Sequence, residues 1–279
     1  MSWTPGISTG IAYQRPILEV LGPIQRAGFR AIEICTAPRH LELGSPAAIA
    51  TLARAVSDLG LHVQSLHAPF GNGIDITSPD GPTRERSIER LTRAADALAE
   101  LDGAGLFVIH PGSENERWAW DRDHHLARSV EALTRLSRVC RERRLRLVLE
   151  TPLPHLLGGQ LDDFDWILER LPSEGTDVCI DTSHCALGGF LELALSRLGA
   201  RLVHIQASDN RGTTDDHLPP GEGRIDWAGF CKGLRRAGYA GVFMLEVGGH
   251  DVIEEGVARC AAAIRSVLPD ALPPRRSRA

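Results

Sequence analysis

The chain contains no CxxC pair. Its six cysteines, Cys35, Cys140, Cys179, Cys185, Cys231 and Cys260, fall mostly inside apolar runs. That pattern argues against a thiolate zinc site or a redox dithiol and reads as reduced, buried thiols, as expected in a cytoplasmic protein. No apolar stretch approaches the ~20 residues a membrane span requires. The opening MSWTPGISTGIAYQRP has no charged segment leading into an apolar one, so no secretory leader is expected. A basic excess is also missing: 31 Lys and Arg stand against 36 Asp and Glu, a net charge of −5. This argues against nucleic acid as a partner, because tight non-specific binding rests on a positive field. There is no low-complexity segment and no linker before residue 270. The chain therefore reads as one domain over 1–269, followed by a basic, Pro-rich tail at 270–279 expected to be disordered.

What is present is a regular alternation. Short β-type runs at 6–10, 31–37, 62–69, 106–112, 145–152, 176–184, 202–210 and 241–249 alternate with helix-type runs. The helical stretches are 16–29, 45–60, 78–103, 120–144, 160–172, 188–199, 226–239 and 251–269. Eight strands alternating with eight helices imply a parallel sheet with helical crossovers, and the count suits a closed (β/α)8 TIM barrel of typical length ~250 residues. An open doubly wound sheet is the alternative. It usually carries a Gly-rich phosphate turn after its first strand, and GISTGIAY is not GxGxxG.

Nine side chains of metal-binding type cluster at expected strand ends and in the loop after strand seven: His67, His110, Glu150, Asp181, His184, His204, Asp215, His217 and Glu246. Several close apolar runs such as LFVIH, LVLE and FMLE. A carboxylate there is costly unless it is paired or coordinated. Asp181 and His184 lie three apart in DTSH, and Asp215 and His217 alternate in an extended segment, so each pair can reach one ion. A mixed imidazole and carboxylate set suits Zn²⁺, Mn²⁺ or a similar divalent ion. The longest strand–helix connections, 68–78, 111–119 and 209–225, follow strands of this set, and in a barrel they build the active face. Arg211 and Arg224 flank the DxH loop and are candidates for an anionic substrate group. Weaker candidates are Arg39 with His40 for phosphate, Trp118, Trp120 and Trp227 as a stacking wall, Cys35 and Cys185 as pocket-lining thiols, and His250.

The segments GISTG, GFRAIEI, SLHAPFGNGIDITSPD, FVIHPG, LVLETP, CIDTSH, VHIQASDNRGTTDDHLPPGEGRIDW and MLEV carry a resemblance to the xylose isomerase-like TIM-barrel superfamily. That superfamily includes sugar and sugar-phosphate isomerases and epimerases and the endonuclease IV family of apurinic-site nucleases. The resemblance covers residues 6–268. It implies a single divalent metal on Glu150, Asp181, His204 and Glu246 if the chain is an isomerase or epimerase. Glu150 or Glu246 would then move a proton next to a substrate carbonyl through a metal-bound enediolate, with His67, His110, His184, Arg211 and Arg224 binding substrate. In the endonuclease IV pattern all nine side chains hold a three-metal cluster, and the chemistry is phosphoester hydrolysis. The loop HAPFGNGIDI lacks the bulky insertion and basic surroundings with which the nucleases open a duplex; Phe70 is its one aromatic. The expectation is therefore a metal-dependent isomerase or epimerase of a small sugar or sugar phosphate, holding one to three Zn²⁺ or Mn²⁺ ions. The alternative is a multinuclear phosphoesterase. Pairing of two copies through mouth-side loops is a further implication of the resemblance.

Overall fold

A computed structural model describes residues 3–71, 73–114, 120–248 and 252–268. Trp118, His250 and the tail 270–279 lie outside the described residues. Eight strands, β1 (Pro5–Ser8), β2 (Ala31–Ile34), β3 (His62–His67), β4 (Gly103–Ile109), β5 (Arg146–Glu150), β6 (Thr176–Asp181), β7 (Leu202–Ala207) and β8 (Phe243–Leu245), close into a barrel in sequence order. Every neighbouring pair is parallel, including β1 with β8. This is the (β/α)8 TIM barrel expected from the alternation, and the open-sheet alternative is excluded.

The crossovers are α1 (Ile17–Arg26), α2 (Pro46–Asp58), α3 (Gly81–Ala99), α4 (Arg122–Glu142), α5 (Leu161–Arg170), α6 (Thr182–Leu187), α7 (Leu191–Leu198), α8 (Trp227–Arg236) and α9 (Ile253–Val267). Their starts are chemically marked. Ser45, Asp80 and Asp226 each accept a hydrogen bond from an amide three residues on, at 3.2, 2.9 and 3.0 Å, which relieves the unpaired donors of the first turn. The crossover after β6 differs from the single helix expected at 188–199. Asp181 caps α6 directly by accepting from the His184 amide at 2.7 Å, and Gly189 at φ +72° breaks the helix before α7 begins.

Alternate strand residues face opposite ways. Outward side chains such as Ile7, Ile32, Leu66, Phe107, Leu149, Ile180, Ile205 and Phe243 are fully buried under the helices in the main core. The inward side chains toward the strand starts form two smaller apolar plugs: Leu106, Val108, Val148 and Cys179, and Ala31, Val242 and Met244. The lower interior is thus filled, and polar residues are pushed to the carboxyl ends of the strands. Tight fit is local. A methyl at Gly103 would stand 2.0 Å from the carbonyl oxygen of Val63, where the β3–β4 register shifts. Gly103→Ala is therefore expected to destabilise the fold by about 1–3 kcal/mol, read as a lower denaturant midpoint at unchanged slope.

Candidate metal centre at the barrel mouth

Glu150 is the hub. It ends β5 with 1% exposure, and three imidazoles converge on it. His67, the last residue of β3, places Nε2 3.0 Å from Oε2. His110, just after β4, places Nε2 3.2 Å from Oε1, and His184 in α6 places Nδ1 3.5 Å from the same oxygen. Donor atoms of His67, His110 and Glu150 lie within 4.8 Å of one another, as do those of Glu150, Asp181 and His184. Asp215 joins from the loop after β7, its Oδ2 lying 3.3 Å from His184 Nε2 and 2.9 Å from His217 Nε2. The other Asp215 oxygen accepts from Ser183 Oγ at 2.7 Å. His217, at φ +45°, uses its other ring nitrogen on the carbonyl of Glu246 at 3.1 Å. That bond ties the loop to the end of β8.

Buried polar atoms here are short of partners. Asp181 Oδ2 and His110 Nδ1 make no hydrogen bond although each is shielded from water, and Glu150 Oε2 faces only the His67 ring. Buried polar atoms are rarely left so. An orphaned carboxylate oxygen among imidazoles is what a divalent cation would satisfy, so these residues fit the expected metal. The electrostatics are polarised. Burial resists ionisation of Glu150, but the charges of His110 and His67 outweigh it and hold its carboxyl well below the usual range. Enclosure in the mouth and the charge of Glu150 hold Glu246 well above it. Burial lifts Asp181 to about 6. His67 rises to about 10 because Glu150 overcomes the cost of burying an imidazolium, and His217 rises to about 10 against the same cost through Asp215.

One expected ligand stands apart. His204 does not end its strand: β7 continues through Ile205, which pairs with Ile180 and Phe243. His204 pairs in register with Cys179, whereas Gln206 pairs with Asp181. The His204 ring lies inside the barrel, fully buried, with Nε2 3.0 Å from Glu33 Oε2. Ser65 donates to the same Glu33 oxygen at 2.7 Å, and the Gln206 amide donates to its other oxygen at 3.1 Å. Glu33, Ser65 and Gln206 escaped sequence reasoning. The signal for Glu33 was available, since AIEI buries a carboxylate in an apolar run as LVLE does.

The weaker candidates disperse. Arg211 and Arg224 are exposed along the loop, and Arg211 lies 3.8 Å from Asp216. Arg39 is exposed, whereas His40 is buried with Nδ1 on the Arg15 carbonyl at 2.6 Å. Cys185 is buried and donates to Thr151. Cys35 is partly exposed within electrostatic reach of Glu246 and Glu33, and its thiol is pushed up to about 11, chiefly by burial. Trp120 is solvent-exposed and Trp227 is buried against Phe230 and Phe243, so these two form no common wall. Phe70, half-exposed, lies over His67 and His110 with ring centroids at 4.7 and 5.4 Å.

Comparison with known proteins bears on the whole barrel. An uncharacterized protein of Sinorhizobium fredii is 28% identical over 255 residues, covering 81% of this chain and 79% of that protein. An uncharacterized protein of Methanocaldococcus jannaschii is 27% identical over 188 residues, covering 65% of this chain and 63% of its own length. Among solved structures, a D-tagatose 3-epimerase-like protein superposes with TM-score 0.81 at 22% identity, covering 97% of this chain and 98% of that one. L-ribulose 3-epimerase gives 0.81 at 20%, covering 97% and 96%. The 3-keto-D-glucoside 4-epimerase of E. coli gives 0.76 at 20%, covering 95% and 98%. Such identities speak for the fold alone. The pattern of the family described as "Xylose isomerase-like TIM barrel" matches residues 22–266, and the chain belongs to that family.

Proposed function

We propose that the chain is a divalent-metal-dependent isomerase or epimerase of a small sugar or sugar phosphate. The observation that carries this reading is the convergence of Glu150, Asp181, His67, His110 and His184 at the mouth, with an unpartnered oxygen on Asp181. Family membership and the likeness to sugar epimerases over nearly the whole chain support it. Glu150, Asp181 and Glu246 would hold the cation. The resemblance adds His204 from β7; its ring lies against Glu33, and Gln206, two residues on, stands in register with Asp181. A cation bound there supplies Lewis acidity to a substrate carbonyl and its neighbouring hydroxyl.

The protein's own part is proton handling. Glu150, held ionised by its imidazoles, takes a proton from the carbon beside the carbonyl. Glu246, whose carboxyl is pushed up by enclosure and by the charge of Glu150, returns one. His67, His110 and His184 donate to substrate hydroxyls, and Arg211 or Arg224 takes an anionic group. Protein saturated with Mn²⁺ and then dialysed is expected to keep about one ion per chain. His217→Ala should keep most of the turnover on a ketose panel.

A specific observation favours the second reading, a multinuclear phosphoesterase. Asp215 already stands between His184 and His217, a ligand set that sugar chemistry leaves idle. Three ions per chain, with turnover of a generic phosphodiester abolished by His217→Ala, would turn the assignment to that chemistry.

Under this second reading, cation uptake should also release protons. In the metal-free protein His67 and His217 remain protonated up to about pH 10, and a cation can take their ring nitrogens only after the protons leave. Affinity is expected to rise with pH between 6 and 9. The heat of Mn²⁺ binding should depend on the ionisation enthalpy of the buffer; identical heats in phosphate and Tris would remove this linkage.

A further inference from the structure

The segment LPPGEGRIDW, from Leu218 to Trp227, contributes no ligand to the metal site, yet its amides and its indole converge on one buried carboxylate. Asp209, just beyond β7, is fully buried and has no cationic partner among the described residues. Its Oδ1 accepts from the amides of Asn210 at 2.9 Å and Ile225 at 3.1 Å. Its Oδ2 accepts from the amide of Gly221 at 2.9 Å and from Trp227 Nε1 at 2.8 Å. All four lone-pair positions of the carboxylate are thereby used. The main chain of Asp209 adds a two-way bridge to Leu218, with N–O distances of 2.8 and 2.9 Å. Leu218 directly follows His217. The excursion that carries Asp215 and His217 is therefore closed at its base by Asp209, and the return of the chain to α8 is fastened to the same side chain.

We propose that Asp209 is a positioning residue for the metal centre: through this buried knot it sets Asp215 and His217 against His184. Asp215 is the second partner of the His184 ring, whose Nδ1 faces the Thr151 carbonyl at 2.9 Å and lies 3.5 Å from Glu150 Oε1. A shift of the loop therefore reaches the cation donors through His184. Gly223 belongs to the same knot. A Cβ there would lie 2.2 Å from Asp209 Oδ1 and 2.3 Å from the Asn210 carbonyl oxygen, so the motif requires glycine for space.

The role rests on the reading of the mouth as a cation site, and the test separates the two. Co²⁺ alone is titrated into metal-free full-length protein and followed by its visible absorption. Asp209→Asn replaces one accepting oxygen with an NH2 that confronts two donors. It is expected to weaken Co²⁺ binding about 10–100-fold, as loss of an outer partner of a ligand does. Gly223→Ala, which crowds the carboxylate without removing it, should shift affinity in the same direction. Trp227→Phe, which deletes one donor, should give a smaller shift and serves if Asp209→Asn does not fold. Gly103→Ala is the control for general destabilisation at the far end of the barrel and should leave Co²⁺ affinity unchanged. Wild-type affinity in folded Asp209→Asn and Gly223→Ala would overturn the role of Asp209 while leaving the cation reading intact. Wild-type protein that binds no Co²⁺ overturns both.

Discussion

Glu150→Gln is expected to abolish cation retention and turnover together. The substitution keeps the size of the side chain and removes the charge on which His67, His110 and His184 converge. A neutral amide offers one weak oxygen where the carboxylate offers two, and it cannot accept a proton from carbon. Loss of the base alone costs about 10²–10⁴ in rate, and loss of the cation adds to that. Metal analysis after dialysis and steady-state rates on the preferred ketose measure both effects. Retention of a stoichiometric ion with more than about a tenth of the activity would sink the assignment of Glu150 as hub.

The same variant has a signature in stability. His67 binds its proton more tightly folded than unfolded, so its contribution is fully present below the ordinary imidazole range and is lost as pH climbs through about 10. Metal-free wild-type protein should therefore lose stability between about pH 6.5 and 10. Metal-free Glu150→Gln should be nearly flat there with respect to His67. Thermal melts across that range compare them directly.

Glu246→Gln should strike turnover harder than it weakens cation retention. Glu246 follows β8, and enclosure together with the charge of Glu150 pushes its carboxyl well above the usual range, so it holds a proton more tightly than Glu150 does. Glutamine preserves shape and a donor group but has no proton to transfer. A fall in kcat of about 10²–10⁴ with little change in KM is the expected split. Exchange of substrate C–H with deuterated solvent should fall in parallel. A kcat within about threefold of wild type, with normal exchange, would show that Glu246 carries no proton.

The barrel was legible because its helices and strands alternate with marked boundaries: Ser45-Pro46 and Asp80 announce helix starts, and apolar runs announce strands. The candidate site was legible where a run stops at a polar residue, as LVLE does at Glu150 and DVCID at Asp181. His204 shows the limit of that rule. It lies inside the run 202–210 and not at its end, and Ile205 beyond it pairs on both sides, so the chain rises further before it leaves the sheet. Glu33 was passed over because its counterpart lies 171 residues away. Asp209 was equally hidden. Its partners are mostly main-chain amides, whose convergence depends on how a long loop turns and leaves no mark in residue type.

The contact between Glu33 and His204 joins β2 to β7 across the interior of the sheet, with Ser65 and Gln206 completing it. Cutting the gene between β4 and β5 would leave one product with an acid stripped of its partner ring and the other with an imidazole stripped of its acid. Leaving a buried polar group without its hydrogen-bond partner costs about 1–3 kcal/mol, a sizeable share of what a small domain has to spare. Neither half should hold a compact form alone. Co-expressed halves should assemble, each serving as the template on which the other becomes ordered.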